Sequence, residues 1–190
     1  MSHVPTVFTR AMLDWAAWIE PVPEEELTEA QRVSLVDPAR AKSVYFRLLA
    51  RDPDALGART RTDKDIFYNV AAGLPRAERE LAAAAVSRLN GCIYCASVHA
   101  RFAVSYSKRE ADMDRLLAEG VDVDLGERWN AVVAAAVALT MTPPSFGDAE
   151  IGRLRAVGLD DLDIADVIHS AAFFNWANRL MLSLGEPVQD

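Results

Sequence analysis

The chain has 190 residues, 51% of them hydrophobic, which is enough apolar side chain for one globular domain with its own core. Lys and Arg number 20 against 28 Asp and Glu, a formal net charge of -8 without any basic run, and this argues against nucleic acid or an anionic membrane surface as a partner. No segment approaches the ~20 apolar residues that span a bilayer, and the N-terminus lacks the pattern of a secretory signal, so the expected address is the cytoplasm.

Alanine and leucine dominate and alternating strand patterns are scarce, so the expected fold class is all-α, a bundle of about eight to nine helices. In chain order the helices are expected near Phe8 to Ile19, Pro38 to Ala50, Leu56 to Ala72, Pro75 to Arg88, Cys92 to Ser105, Lys108 to Ala118, Glu127 to Thr140, Asp148 to Ala156 and Leu162 to Leu184. Breaks at Glu20-Pro21-Val22-Pro23, Gly73-Leu74-Pro75, Asn90-Gly91, Glu119-Gly120 and Met141 to Ser145 divide them. Glu24 to Glu26 ahead of Leu27 to Val33 reads as a solvated acidic helix start. The stretch Ala131 to Leu139 is apolar around nearly its whole circumference and is expected to be a central helix, buried on several sides. The whole chain, 1–190, reads as one domain, with 1–37 an N-terminal arm or interface segment and 56–186 the helical core. The apolar terminal helix, with Phe173, Phe174 and Trp176 crowded together, points to a homo-oligomer.

Both cysteines of the chain and one of its three histidines fall in a single short window, Glu80 to His99. A helix opening near Cys92 turns about 100° per residue, so Cys92, Cys95 and His99, at i, i+3 and i+7, share one face. Asn90-Gly91 reads as a helix stop and restart that puts Cys92 in a first turn, where free N–H groups and the helix dipole favour a thiolate. Glu80 lies on the preceding helix in an otherwise apolar segment. Buried there it needs a partner, and an antiparallel packing across Asn90-Gly91 would aim it at the turn carrying His99. The alternative, an exposed Glu80 at an acidic helix start, is equally compatible with the spacing.

Competing chemistries are less well served. A structural zinc site needs four ligands, and Cys92, Cys95 and His99 supply three with no second Cys-x-x-Cys, so no metal is expected. A thioredoxin-like motif follows a strand in a βαβ unit, which this motif does not. Two inert buried cysteines beside a core histidine are the remaining bland reading. His169 and His3 are left out of the candidate site as isolated histidines, and Trp15, Trp18, Trp129 and Trp176 are read as core or interface anchors.

Glu80, Ser87, Asn90, Cys92, Tyr94, Cys95 and His99 together resemble the Glu, Ser-x-x-Asn-x-Cys-x-Tyr-Cys-x-x-x-His signature of the AhpD-like alkylhydroperoxidases of the carboxymuconolactone decarboxylase superfamily. The resemblance is strongest from Gly73 to Ser105, while Asn130 to Glu186 is similar to the C-terminal helices of the peroxidase-related branch. It implies a helical fold assembled as dimers, trimers or hexamers, and a peroxidase cycle without haem, metal or other cofactor. By position, Cys95 would be oxidised to a sulfenic acid, Cys92 would give a proton and then close the disulfide, and Glu80 and His99 would relay protons. Tyr94 stands where some members carry another histidine and is expected to shape the substrate pocket. Helix-dipole reasoning alone names Cys92 as the more acidic thiol; the resemblance and the Cys95 to His99 spacing favour Cys95 as the one attacked. The implied partners are a hydroperoxide and a dithiol reductant, lipoyl or thioredoxin-like. A general disulfide oxidoreductase and a decarboxylase-like enzyme are the competing functions, the paired cysteines counting against the second.

Overall fold

The computed structural model describes residues 3–69 and 71–189. Met1 and Ser2 of the expected N-terminal arm, Val70 within the expected 56–72 helix, and Asp190 lie outside the described residues. The described residues form nine α-helices and a two-stranded ribbon. In order they are β1 (Asp14–Ala17), α1 (Glu29–Leu35), α2 (Val44–Leu49), α3 (Pro53–Tyr68), α4 (Arg76–Leu89), α5 (Ile93–Ser107), α6 (Glu110–Glu119), α7 (Glu127–Thr140), α8 (Asp148–Ala156), α9 (Asp161–Leu184) and β2 (Gly185–Val188). Short 3-10 turns at Glu24–Glu26 and Pro38–Lys42 complete the N-terminal part.

The all-α expectation holds, and α7 and α8 begin and end where the sequence pattern puts them. Two expectations are corrected. The segment expected as a helix from Phe8 to Ile19 instead contributes β1, which pairs antiparallel with β2 so that Trp15 faces Pro187 and Ala17 faces Gly185. Here a partner at the far end of the chain decides the backbone, overriding local propensity. The single helix expected from Pro38 to Ala50 is broken at Ser43, whose hydroxyl accepts from the Phe46 N–H and restarts the chain as α2. α7 is a central helix as expected, packed on α4, α8 and α9 with none of Ala131 to Thr140 exposed, and α4 is more deeply buried still: Leu81, Ala82, Ala83, Ala84, Ala85 and Val86 are completely buried, and α4 packs on α5, α7 and α9. Four successive alanines let neighbours approach α4 from every side, while the charged residues at its start conceal this in the sequence.

Two devices hold α4 in place around the site. Arg79, 3% exposed, donates to the carbonyls of Ile66, Asn69, Ala72 and Leu74 at 2.6–2.8 Å and pairs with Asp166 at 2.9 Å. It thereby satisfies the carbonyls that the end of α3 leaves open. The turn from α4 to α5 then needs Gly91 at φ +81°, a left-handed conformation that glycine adopts without penalty. This tight reversal lays α5 antiparallel against α4.

Candidate active site

The α4–α5 hairpin carries four of the candidate residues. Glu80 on α4 is 1% exposed. Its Oε2 lies 2.6 Å from His99 Nδ1 on α5, and its Oε1 accepts from Arg76 Nε at 3.0 Å. The buried alternative for Glu80 is therefore the one realised, with an imidazole and a guanidinium as its partners. Because a carboxylate only accepts, the Nδ1 edge of His99 carries the proton and Nε2 is the nitrogen left for other work. Phe174 packs against the ring at 3.9 Å between centroids and Phe67 at 5.5 Å, fixing its plane. Arg76 is itself stacked among Tyr68, Tyr106 and Phe102 at 4.1–5.2 Å.

Cys92 is the N-cap residue of α5 and Cys95 lies in its first turn; both are buried free thiols. The two titrate together. The Cys95 thiol beside it draws the Cys92 pKa down; burial opposes this, and the Cys95 N–H and the Asn178 amide assist. Cys95 is pushed well up by the neighbouring Cys92 and by burial. The lowering at Cys92 thus comes from the neighbouring thiol and its hydrogen bonds and not from the helix dipole, and it favours Cys92 over Cys95 as the sulfur that carries the charge.

Cys95, His99, Glu80 and Tyr94 line one cavity of about 230 Å³, together with Phe67, Val98, Phe174 and Met181. Cys92 does not line it. It faces a second cavity of about 200 Å³ formed with Trp15, Gly185 and Pro187 of the ribbon, and Tyr94 stands between the two, lining both. No hydrogen bond joins Cys95 to His99 directly among the described residues, so the imidazole meets the sulfur across the cavity they share.

Three contributions escape a reading by spacing. Asn178 of α9 is completely buried; it donates to Ser87 Oγ at 3.0 Å, accepts from Asn90 Nδ2 at 3.1 Å, and favours charge on both sulfurs. Asn175 continues this chain, accepting from Asn90 and donating to Thr140 Oγ1, each at 3.0 Å. Arg59 and Tyr45, from α3 and α2, line the Cys95 cavity. The Phe174-Asn175 and Asn178-Arg179-Leu180 motifs are visible in the sequence, but nothing there says that they face the cysteines. Among the described residues no group of three or more His, Cys, Asp or Glu side chains gathers as a metal-binding set. None of the described helices is long and apolar enough to cross a membrane.

The site is thus a pair of buried free thiols at the start of α5, with a Glu–His pair on the cavity that Cys95 lines. The carboxymuconolactone decarboxylase family model matches residues 53–138. Comparison with solved structures finds a peroxidase-related protein with an alkylhydroperoxidase AhpD core from Ralstonia eutropha JMP134, at a TM-score of 0.72 and 22% identity over 92% of this chain and 90% of that one. A peroxidase-related protein from Silicibacter sp. TM1040 aligns at a TM-score of 0.70 and 23% identity, over 97% and 95% of the two chains. The debrominase Bmp8 aligns at 0.70 and 16%, over 88% and 90%. No curated protein sequence matches the chain. The chain shares the helical fold of these AhpD-like proteins, and its match to the family model is confined to residues 53–138. The same fold is thus shared by peroxidase-related proteins and by a debrominase.

Proposed function

We propose that the chain is a cysteine-based peroxidase that reduces organic hydroperoxides or hydrogen peroxide through a Cys92/Cys95 dithiol–disulfide cycle, with Glu80 and His99 as proton relay. The observation that carries this reading is the single cavity lined by Cys95 and His99, the imidazole backed by buried Glu80 at 2.6 Å. A hydroperoxide in that cavity meets the Cys95 sulfur and not Cys92. The Cys95 proton passes to the Cys92 thiolate, and the Cys95 thiolate attacks the terminal peroxide oxygen. The O–O bond breaks, Cys95 becomes a sulfenic acid, and the departing alkoxide takes a proton from the Cys92 thiol or from His99 to leave as an alcohol. Cys92 then attacks the sulfenic sulfur, water leaves, and the Cys92–Cys95 disulfide closes. A dithiol, lipoyl or thioredoxin-like, returns two electrons and two protons. Cys92 faces a second cavity, which supports entry of the reductant on the side of Tyr94 away from the Cys95 cavity.

The enzyme is placed in the cytoplasm by this reading, and it works as a homo-oligomer of two, three or six chains. Met12 is 82% exposed, Trp18 60% and Ile19 51%, apolar surface that self-association would cover. A solution mass of one 20.8 kDa chain would remove the oligomer from the reading. For the chemistry, one equivalent of cumene hydroperoxide added to the reduced protein should remove two hydrogens and link Cys92 to Cys95 in peptide mass spectrometry, reversed by a dithiol. Cys95→Ser should lower peroxide turnover by at least a hundredfold. Full turnover by that variant refutes the mechanism, and disulfide exchange without peroxide consumption leaves a general disulfide oxidoreductase in its place.

A further inference from the structure

The Cys95 cavity contains an electrostatic mismatch that the peroxidase cycle does not use. Three arginines, Arg40, Arg59 and Arg76, line it against two carboxylates, Glu80 and Asp63. Arg76 is matched by Glu80. Asp63 is shared: its Oδ2 accepts from Arg40 Nη2 at 2.8 Å and lies 3.8 Å from Arg59 Nη1, too far for a hydrogen bond. One positive charge is left over. Arg59 is 7% exposed, and its Nε and Nη1 have no hydrogen-bond partner; the same holds for Arg40 Nη1 and for the hydroxyl of Tyr45, which is 5% exposed. All three residues line the cavity.

Buried N–H groups without acceptors are rare in folded proteins, and a buried charge without a counter-charge costs several kcal/mol. The rings of Phe173, Phe46 and Tyr45, 5.2–5.8 Å from the Arg59 guanidinium carbon, offset part of that cost without accepting any hydrogen bond. Arg79, with four carbonyls and Asp166, shows how completely this fold satisfies a guanidinium that has only a structural role. The rest of the wall, Phe67, Val98, Phe174 and Met181 among it, is apolar. At about 230 Å³ the cavity lies below the ~300–1,000 Å³ of drug-sized sites, which suits a compact ligand.

We propose that Arg59, Arg40 and Tyr45 form a carboxylate subsite, so that the substrate is a compact aryl or branched-alkyl acid whose reactive end reaches Cys95. A single surplus positive charge matches a monoanion; a phosphate dianion would leave excess negative charge beside Asp63. Burial holds the Tyr45 phenol up at about 12, so it presents an O–H for donation. That the reactive end is a hydroperoxide rests on the function proposed above; recognition of the carboxylate does not.

The test separates the two. Calorimetric titration of the reduced protein with 4-isopropylbenzoate and with the uncharged 4-isopropylbenzamide requires no redox chemistry. The carboxylate should bind at least tenfold more tightly, Arg59→Met should abolish the difference, and Tyr45→Phe, which deletes only an unpartnered hydroxyl, should weaken carboxylate binding several-fold without affecting the amide. Equal affinities in the native chain, or a preference retained by Arg59→Met, overturn the subsite; if that variant fails to fold, an unchanged carboxylate affinity in Tyr45→Phe overturns the role of the phenol. In turnover, 4-carboxycumene hydroperoxide should exceed cumene hydroperoxide at least tenfold in kcat/KM. Carboxylate binding with neither hydroperoxide consumed would sink the peroxidase and leave the subsite standing, whereas equal consumption of both would do the reverse.

Discussion

Ionisation at the site is controlled by which side chain each group is paired with. Glu80 is buried against an imidazole and a guanidinium, and Arg76 has 8% of its side chain exposed, so neutralising the carboxylate leaves a guanidinium with little water to replace it. Breaking such a pair from one side costs ~3–5 kcal/mol. Glu80→Gln should therefore destabilise the fold by a few kcal/mol in denaturant unfolding. It should also slow peroxide reduction by about 10²-fold, the lower end of what proton-transfer catalysis contributes, because the imidazole loses the carboxylate that accepts from Nδ1 and orients the ring. A variant with native stability would mean that Arg76 finds other compensation. The thiols make a second case. Below the Cys92 ionisation both sulfurs are protonated and Cys95 has no thiolate beside it; above it, the Cys92 thiolate can take the Cys95 proton. Since Cys92 is held below the ordinary thiol range by its neighbour, the rate of Cys95 oxidation should rise with pH to a plateau, with its midpoint below that range. Cys92→Ser removes the acceptor and leaves Cys95 raised by burial, so the midpoint should move upward. A midpoint that stays put in stopped-flow oxidation would show that the two sulfurs do not share the proton.

At the scale of elements, the α4–α5 hairpin concentrates the chemistry because one short turn sets it. Gly91 sits at φ +81°, and a Cβ there would meet nothing within 4 Å. Gly91→Ala is therefore a backbone experiment without a steric component. It should cost about 1 kcal/mol, read as a lower urea midpoint at unchanged slope. A loss several times larger would mean that the turn is distorted and the Asn90–Asn178 contact with it. The same hairpin explains what could be read from the chain. Glu80, Cys92, Cys95 and His99 lie within two adjacent helices, where 3.6-residue periodicity and one turn signal suffice to bring them together. Arg59, Tyr45 and Asn178 come from α3, α2 and α9, and only tertiary packing brings them in. Arg59 in particular lies in the run Arg59-Thr60-Arg61-Thr62-Asp63-Lys64-Asp65, which reads as a solvated face, yet the residue is 7% exposed. The strand β1 is illegible for the same reason, since its partner is the far end of the chain.

Across the whole molecule, that ribbon joins the two ends of the chain over the back of the cysteine pair. β1 and β2 bring Trp15, Gly185 and Pro187 to the cavity that Cys92 faces, and Trp15 stacks edge-on against Tyr45 at 5.4 Å, so one small sheet supports both cavities. The fit depends on an absent side chain: a Cβ on Gly185 would run into the Trp15 ring and the Ala16 carbonyl. Gly185 is extended there, so the constraint is space and not backbone conformation. Gly185→Val should force Trp15 out or separate the strands. Overpacking of this kind costs ~1–3 kcal/mol. For a domain of this size that lowers Tm by about 2–12 °C. The more telling consequence is local. Cys92 is 2% exposed behind the ribbon, whereas Cys95 is reached from the other cavity. Native-state alkylation of Gly185→Val should therefore accelerate at Cys92 by at least tenfold while Cys95 changes little, each site followed by peptide mass spectrometry. Equal acceleration at both would mean that the ribbon stabilises the fold as a whole, and unchanged protection of Cys92 would mean that it does not cover that sulfur at all.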